Sequence, residues 1–528
     1  MLRIDQIRLL PGDSETLLPG KCARILRLPA EDIVSCTVLR RAIDAREGLT
    51  LVYTAAVEVK REDTVLRRCR DKRVSRYAPE TYALPAAVTA PEIPPIVVGA
   101  GPAGLFAALV LARCGARPIV LERGRPVEQR QADVERFWSG GALDTESNVQ
   151  FGEGGAGAFS DGKLNTGTRD MRHRFIMETL VRCGAPESIL TDAKPHVGTD
   201  MLHIALRSLR RELTEAGADI RFGARLESLR TKDGAVCGVT VRQDGAVYDL
   251  PARQVVLALG HSARDTFEML YRAGLAMEQK PFAMGVRIEH RQADVDAAQY
   301  RALAGHPALP PSTYKLSCHL PNGRSAFSFC VCPGGQVVAA ASETGRTVTN
   351  GMSEYARSGE NINGALLVNV TAEDFPSPHP LAGIALQRQV EAAAFALGGG
   401  DYRAPCQRVE DFLRGAPSAG AGRVTPSYRP GVVYTDMARC LPPFITETLR
   451  LALPALGKKL KGYDDPDALL TGVETRSSSP VRLVRDDNYE ANIRGIYPCG
   501  EGAGYAGGIL SAAADGMRCA EKLLEVCK

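Results

Sequence analysis

Apolar and polar positions change their rhythm several times along this chain. Over the first 82 residues they alternate in short blocks. The pattern predicts a strand over Arg3–Leu9, a helix over Glu15–Leu28 and strands over Ile33–Ile43 and Leu49–Lys60. A helix over Asp63–Arg70 and a short last strand complete it. That βαββαβ order predicts a small ferredoxin-like α+β domain, residues 1–82. The Pro/Ala-rich stretch Leu84–Pro95 then predicts a linker over residues 83–95.

From residue 96 the pattern becomes strand–helix–strand. Ile96–Val98 is an apolar run, Leu105–Arg113 reads as a helix, and Ile119–Leu121 as a second strand. Ile220–Phe222 and Val255–Leu259 add further strands, and Ile204–Ala216 an amphipathic helix. Ala235–Arg242 and Ala246–Leu250, joined by Gln243-Asp244-Gly245, predict a hairpin. This is the texture of a Rossmann-like, doubly wound α/β domain, placed at residues 96–280 and completed by residues 475–528. Between them, residues 281–474 mix strand-like SAFSFCVC and ALLVNVTAE with helical QRQVEAAAFAL. They predict an inserted α+β domain that covers the site and shapes a substrate pocket. Ile96–Ala112 is uncharged but short of the roughly 20 residues of a membrane span. Its Gly-Pro-Gly content favours a buried strand and helix, so no membrane association is expected.

Composition narrows the class. A chain of 528 residues with 45% apolar content has room for two or three packed domains. The net charge of +4 is spread along the chain and gives no case for nucleic acid. The fourteen cysteines are scattered, without a CxxC pair, as in a reduced cytoplasmic protein. Cys330-Val-Cys332 is the only close pair, read as two core cysteines in preference to a metal or redox site. No signal-peptide pattern opens the sequence, and no zinc spacing, nucleophile elbow or Walker loop appears. No metal is expected.

Two glycine-rich segments carry the chemistry. IVVGAGPAGL places Gly99, Gly101 and Gly104 between a strand and a helix, with Pro102 and Ala103 opening that helix. The next strand closes on Glu122 and Arg123. Gly99 permits a tight turn, Gly101 admits a pyrophosphate, and Gly104 packs helix on strand. The helix N-terminus offers free N–H groups to phosphates. Glu122 would accept from ribose hydroxyls and repel a 2′-phosphate, which leaves FAD and NAD. The C-terminal segment decides between them. Gly500-Glu501 resembles a pair whose acid bonds ribityl hydroxyls, and Gly507, Gly508 and Ile509 open a last helix. VVLALG, ending at Gly260, resembles the strand that closes many FAD domains, and Leu226 stands where backbone groups often meet adenine. Together these elements predict non-covalent FAD.

The loop Gln150–Gly167 is dense in glycine and carries Gly155, Ser160, Gly162 and Lys163. It is expected at the flavin, with Lys163 near the ring or a substrate anion. Arg476, among serines in VETRSSSPVR, suits a carboxylate. His196 and His261 are candidate proton carriers, and Tyr505 a candidate to lie near the ring. Lys163, Arg476 and His196 form the candidate catalytic set.

GAGPAGLFAALVLA, VLERG, SNVQFGEGGAGAFSDGKLNT, ALGHSARDTFEML, VETRSSSPVR and GEGAGYAGGILSAA together resemble one family. These are the poorly characterised bacterial FAD-dependent dehydrogenases of the NAD(P)/FAD-dependent oxidoreductase family, with their FAD-dependent protein C-terminal domain. The resemblance implies FAD binding by Gly99, Gly101, Gly104, Glu122 and the Gly500–Ile509 segment, and oxidoreductase activity without a named substrate. SDGKLNT is also similar, more distantly, to the ring-facing loop of aminoacetone-oxidase-like flavoproteins. The expected reaction passes hydride between a small anionic substrate and flavin N5. No second GxGxxG with its own βαβ context appears. Either the substrate reduces FAD directly, or NAD(P)H docks transiently in the substrate cleft. Two rival functions remain. One is a flavin-dependent RNA-modifying enzyme, for which Lys458, Lys459 and Lys461 are a thin basic surface. The other is a non-catalytic FAD sensor with the N-terminal domain as its interaction module.

Overall fold

The computed structural model describes residues 1–46 and 48–526. At the N-terminus, strands run in the order Ile33–Asp44, Thr50–Val59, Leu2–Leu9, Val74–Arg76, all neighbours antiparallel. Helices Leu18–Leu26 and Glu62–Arg68 pack on this sheet. Leu18, Cys22 and Leu26 recur every four residues and share one buried face. In the first strand Ile4 and Ile7 are both buried although three residues apart. A bulge with Gln6 at φ 59° lies between them and resets the alternation. Arg41 joins this unit to the rest of the chain. Its guanidinium lies 2.9 Å from Asp192, and its backbone exchanges bonds with Thr191 and Ala193.

A five-stranded parallel sheet follows, in the order Ile496–Pro498, Val255–Leu257, Ile96–Val98, Ile119–Leu121, Asp219–Arg221. Its central strands are apolar throughout because both faces are covered. Helix Pro102–Arg113 is buried over ten consecutive residues, between this sheet and the C-terminal helix Ile509–Val526. That explains its lack of charge. Among the described residues no helix is long and apolar enough to cross a membrane. The hairpin Ala235–Gln243/Ala246–Pro251 gains a third strand, Ala224–Lys232. That strand carries Leu226 on its buried face and charged residues on its open face, so it lacks a clear apolar signal in the sequence.

The segment after residue 281 builds a seven-stranded sheet. Its order is Ser317–His319, Ser325–Cys332, Asn361–Val370, Phe282–Arg291, Leu469–Glu474, Ala404–Arg408, Val432–Tyr434. Neighbours are antiparallel except the last pair. Helix Pro443–Gly457 covers one face with Ile445, Leu449 and Leu453. The boundary with the nucleotide-fold unit is not clean in packing. The small hairpin Gln336–Ala339/Thr349–Met352 belongs to the same core as helix Pro102–Arg113. Trp138 fixes it there, donating its indole N–H to the Ala339 carbonyl at 2.9 Å.

The two long apolar helices touch at backbone distance. A Cβ added to Gly516 would overlap the Ala103 carbonyl oxygen. Gly516→Ala is therefore expected to destabilise the protein by about 1–3 kcal/mol through overpacking. Gly420→Ala, with open space around the new methyl, should leave the thermal midpoint unchanged. Differential scanning calorimetry of the two variants checks the contrast, and equal midpoints would refute it.

Candidate active site

One cavity of about 360 Å³ lies beyond the carboxyl ends of the parallel strands. Its near end is built from backbone. Gly99 turns at φ +103°, and a Cβ there would overlap the Ala258 carbonyl, while one on Gly104 would overlap the Gly99 carbonyl. Both glycines thus serve close packing behind the cavity. Gly101 caps helix Pro102–Arg113 without a side-chain bond, and an added Cβ would meet only Gly155 Cα, at 3.8 Å. Helix N–H groups consequently open onto free space between two glycines, a cradle suited to a pyrophosphate.

Glu122 is buried at the cavity edge. Its carboxylate accepts from the N–H groups of Ala100 at 2.7 Å and of Gly124 and Gly152 at 2.9 Å. A carboxylate offers about four acceptor sites, so one remains for a ligand hydroxyl. Arg123 is spoken for, paired with Glu146 and Asp265 at 2.9 Å each.

The glycine loop has an organiser that the sequence did not disclose. Arg130 is fully buried and donates to the carbonyls of Asn148, Val149, Gly152 and Glu153 at 2.7–3.3 Å. Burial pulls its pKa down to about 10, so it stays cationic at neutral pH. No local pattern announces such a contact. An arginine on the inward face of helix Val127–Trp138, otherwise lined by Val127, Val134 and Phe137, was the available signal.

At the far end Gly500 turns at φ +75° and donates to Asp515, which Arg485 holds at 2.8 Å. Glu501 follows on the cavity wall. Burial pushes its pKa up to about 7, against the pull of the Gly508 N–H and of Lys280. His261 Nε2 lies 3.7 Å from Glu501, and its Nδ1 is buried without a partner. Burial, then the cations Arg476, Arg264 and Lys280, lower the pKa of His261 to about 3, so the ring is neutral. Added Cβ atoms on Gly507 and Gly508 would meet nothing within 4 Å, which leaves this end open.

The remaining wall is polar, with Lys163, Cys330, Asn350, Glu474 and Arg476. Lys163 Nζ lies 2.9 Å from Asp161, whose carboxylate also takes bonds from Arg357 and Ser353. Glu474 sits 3.0 Å from Arg287, and burial pushes its pKa up to about 7. Arg476 reaches the cavity, but its fork is filled from within. It bonds Glu391 at 3.1 and 3.0 Å and Ser342 at 2.5 Å.

The structure brings most of the expected cofactor residues together. Gly99, Gly101, Pro102, Ala103, Glu122, Arg123, Gly155, Ser160, Gly162, Lys163, Leu226, Gly260, Gly500, Glu501, Gly507, Gly508 and Ile509 all line this one cavity. Gly104 stands behind it. His196 is not on its wall. The His196 ring stacks on Tyr355 and its Nε2 lies 3.1 Å from the Tyr355 carbonyl, although its backbone pairs with Lys163. Tyr505 also turns away, and Arg485 covers its ring at 3.8 Å. Gln150, at the start of the expected loop, lines the wall, as do Ser262, Cys330, Asn350 and Glu474, which no sequence pattern marked as cavity residues.

Comparison with known proteins agrees with this geometry. Residues 281–477 match a family described as "FAD-dependent protein, C-terminal domain-like", and residues 95–157 an "FAD binding domain". Residues 1–60 match a domain of unknown function. An uncharacterized protein of Clostridium beijerinckii is 45% identical over 529 residues, covering 99% of this chain and 98% of that protein. Protein FixC of Escherichia coli is 31% identical over 201 residues, 37% of this chain and 42% of its own length. Among solved structures, the quinol fumarate reductase subunit FrdA of E. coli aligns over 83% of this chain and 71% of its own. Its TM-score is 0.37, at 14% identity.

The glycine loop also carries a buried carboxyl whose titration is readable. Glu153 accepts from the Val127 N–H at 2.8 Å and faces Arg210 at 3.3 Å, with Glu128 and Arg130 nearby. Burial raises its pKa from 4.5 to about 7. A pKa raised on folding gives stability that is complete below the unfolded value and lost as pH rises through the folded one. Between about pH 4.5 and 7 the wild type should therefore lose more stability than Glu153→Gln, which keeps the acceptor and cannot ionise. Denaturant midpoints across that range measure it. Parallel pH profiles would show that Glu153 titrates normally.

Proposed function

We propose that this chain, which belongs to the poorly characterised FAD-dependent family of its Clostridium beijerinckii relative, transfers hydride between a small anionic substrate and FAD. That it is an FAD-dependent oxidoreductase rests on the matched FAD-binding domain and on the cavity. The observation that carries the reading is the pairing of two open glycine sites in one cavity. Gly101 faces Gly155 at a helix N-terminus, and Gly507-Gly508 opens the other end. When bound, FAD supplies a two-electron acceptor at N5.

The chain supplies binding and electrostatics. Helix N–H groups beyond Gly101 receive the pyrophosphate, Glu122 takes a ribose hydroxyl, and Glu501 the ribityl chain. Lys163 attracts the substrate anion, because the Arg476 fork is already occupied by Glu391. Glu474 and Glu501, both raised to about 7, are the groups placed to hold a proton near neutral pH, beside a His261 ring that stays neutral. Residues 1–82 are read as a ferredoxin-like appendage and residues 281–474 as the cap over the cavity. The partner in this reading is a small molecule in the cytoplasm, not nucleic acid or a membrane. NAD(P)H serves, where needed, as a transient donor in the same cleft.

Anaerobic mixing of the FAD-loaded protein with a metabolite panel that includes NADH and NADPH tests the reaction. Bleaching of the flavin absorbance by one compound names the donor. A protein that neither carries nor takes up FAD would overturn the proposal. Gly101→Val fills the cradle and should purify without flavin. Lys163→Gln should retain flavin but lower kcat/KM for the substrate at least about tenfold, about 1.4 kcal/mol of transition-state binding. Unchanged kinetics in that variant would remove Lys163 from substrate binding.

A further inference from the structure

Strand Ser325–Cys332 ends at the cavity in a bulge. Phe329 pairs with Ala365 and Cys332 with Asn363, so three steps on one strand match two on the other. Cys330 occupies the bulge at φ 40°, in the left-handed region that a residue with a side chain adopts only at a cost. The result is that Cys330 is half-buried on the cavity wall, with Cys332 fully buried behind it. Cys332 Sγ lies 3.3 Å from the Cys330 carbonyl oxygen, and the two thiols are near enough to shift one another's acidity. Arg287 donates to that same carbonyl at 2.9 Å and holds the bulge in place.

The surroundings are those of a reactive thiol, not of an inert core pair. Lys163 Nζ is buried and has both sulfurs among its charge neighbours. Its ammonium is paired with Asp161 at 2.9 Å. Of the two thiols Cys330 is the more acidic. The neighbouring Cys332 thiol lowers it first, burial opposes, and Lys163 and Arg287 lower it further, with Asp161 opposing. Thiolate character of this kind governs thiol reactivity. Cys330 and Glu501 line the same cavity.

We propose that Cys330 and Cys332 form a redox-active dithiol that exchanges an electron pair with FAD in this cavity. This inference rests on the FAD oxidoreductase reading above. In the oxidising direction the two S–H bonds break and one S–S bond forms. Two electrons and two protons leave the sulfurs, and the oxidised flavin takes up both electrons and both protons to become fully reduced. Cys330 is the sulfur that meets the flavin, Lys163 steadies its thiolate, and Cys332 closes the disulfide from behind. The site then stores two electron pairs, one on the flavin and one on the sulfurs.

The test is an anaerobic dithionite titration of the FAD-loaded protein, after incubation with excess oxidised dithiothreitol and desalting. Peptide mapping of alkylated thiols accompanies it. The wild type is expected to consume two dithionite equivalents per flavin and to yield a Cys330–Cys332 cross-linked peptide. Cys330→Ser and Cys332→Ser should each consume one equivalent while keeping full flavin absorbance. A wild type that consumes one equivalent, with Cys330 and Cys332 both alkylated, would overturn the proposal. The flavoprotein reading would survive that result, since the flavin itself is still reduced. Should either variant fail to fold, the wild-type stoichiometry and cross-link map decide alone.

Discussion

Glu391 is a fully buried carboxylate, and three separated parts of the chain meet to neutralise it. It lies on helix Ala382–Leu397 and accepts from Arg264 at 2.7 and 2.8 Å, from Arg476 at 3.1 and 3.0 Å, and from the Thr475 hydroxyl at 2.7 Å. The two guanidiniums hold its pKa well below the usual carboxylate range despite burial. A charge left alone in such a place costs several kcal/mol, so none of the three segments settles without the others. Arg264 opens a helix of the nucleotide-fold unit, and Arg476 lies where the chain leaves the seven-stranded sheet. This ionic contact joins the nucleotide-fold unit to the seven-stranded sheet, alongside the shared core around Trp138.

The same contact sets the electrostatics of the wall. Glu343, 2.6 Å from Arg264, supplies the second carboxylate for the two arginines. Burial first, and then the nearby Arg476, Arg264 and Lys280, keep His261 neutral. The bond to Glu391 also means that Arg476 acts on the cavity as a fixed charge, not as a free fork. An entering anion would feel it without displacing Glu391, and direct contact falls to Lys163.

What the sequence disclosed and what it hid follow from the range of the interactions involved. Gly99, Gly101, Gly104 and Gly155 were legible because a tight turn or close backbone approach excludes side chains, and that demand is local. Glu122 and the Gly500–Ile509 return were legible because their spacing from strand ends is fixed by the sheet. Arg130, Arg264 and Glu391 were not, since an ion or a carbonyl cage assembled from remote segments leaves no period behind. His196 and Tyr505 misled for a related reason. Tyr505 is close in chain to Gly507, and His196 is paired by its backbone with Lys163, yet backbone proximity does not set side-chain direction. His196 pairs with Lys163 through the backbone and points at Tyr355 instead. Cys330-Val-Cys332 looked like ordinary strand core because the bulge that turns Cys330 towards the cavity depends on pairing with Asn361–Val370.

The cavity is therefore asymmetric in a chemically useful way. Its near end is made of backbone N–H groups and glycines, which cannot titrate and whose positions are fixed by helix and sheet. That end is suited to hold a phosphate-bearing group in one place. Its far end collects groups whose protonation is shifted towards neutrality or whose charge is constrained, among them Glu501, Glu474, His261, Lys163 and Cys330. Burial raises the two carboxyls to about 7, so their acid and base forms coexist near neutral pH, and it keeps the imidazole neutral. Perturbed groups clustered in a cleft are where proton and electron transfer concentrate. Rigid binding at one end and tunable chemistry at the other follow directly from which wall each part of the chain supplies. The doubly wound sheet provides the first. The seven-stranded sheet and the two glycine loops that face it provide the second.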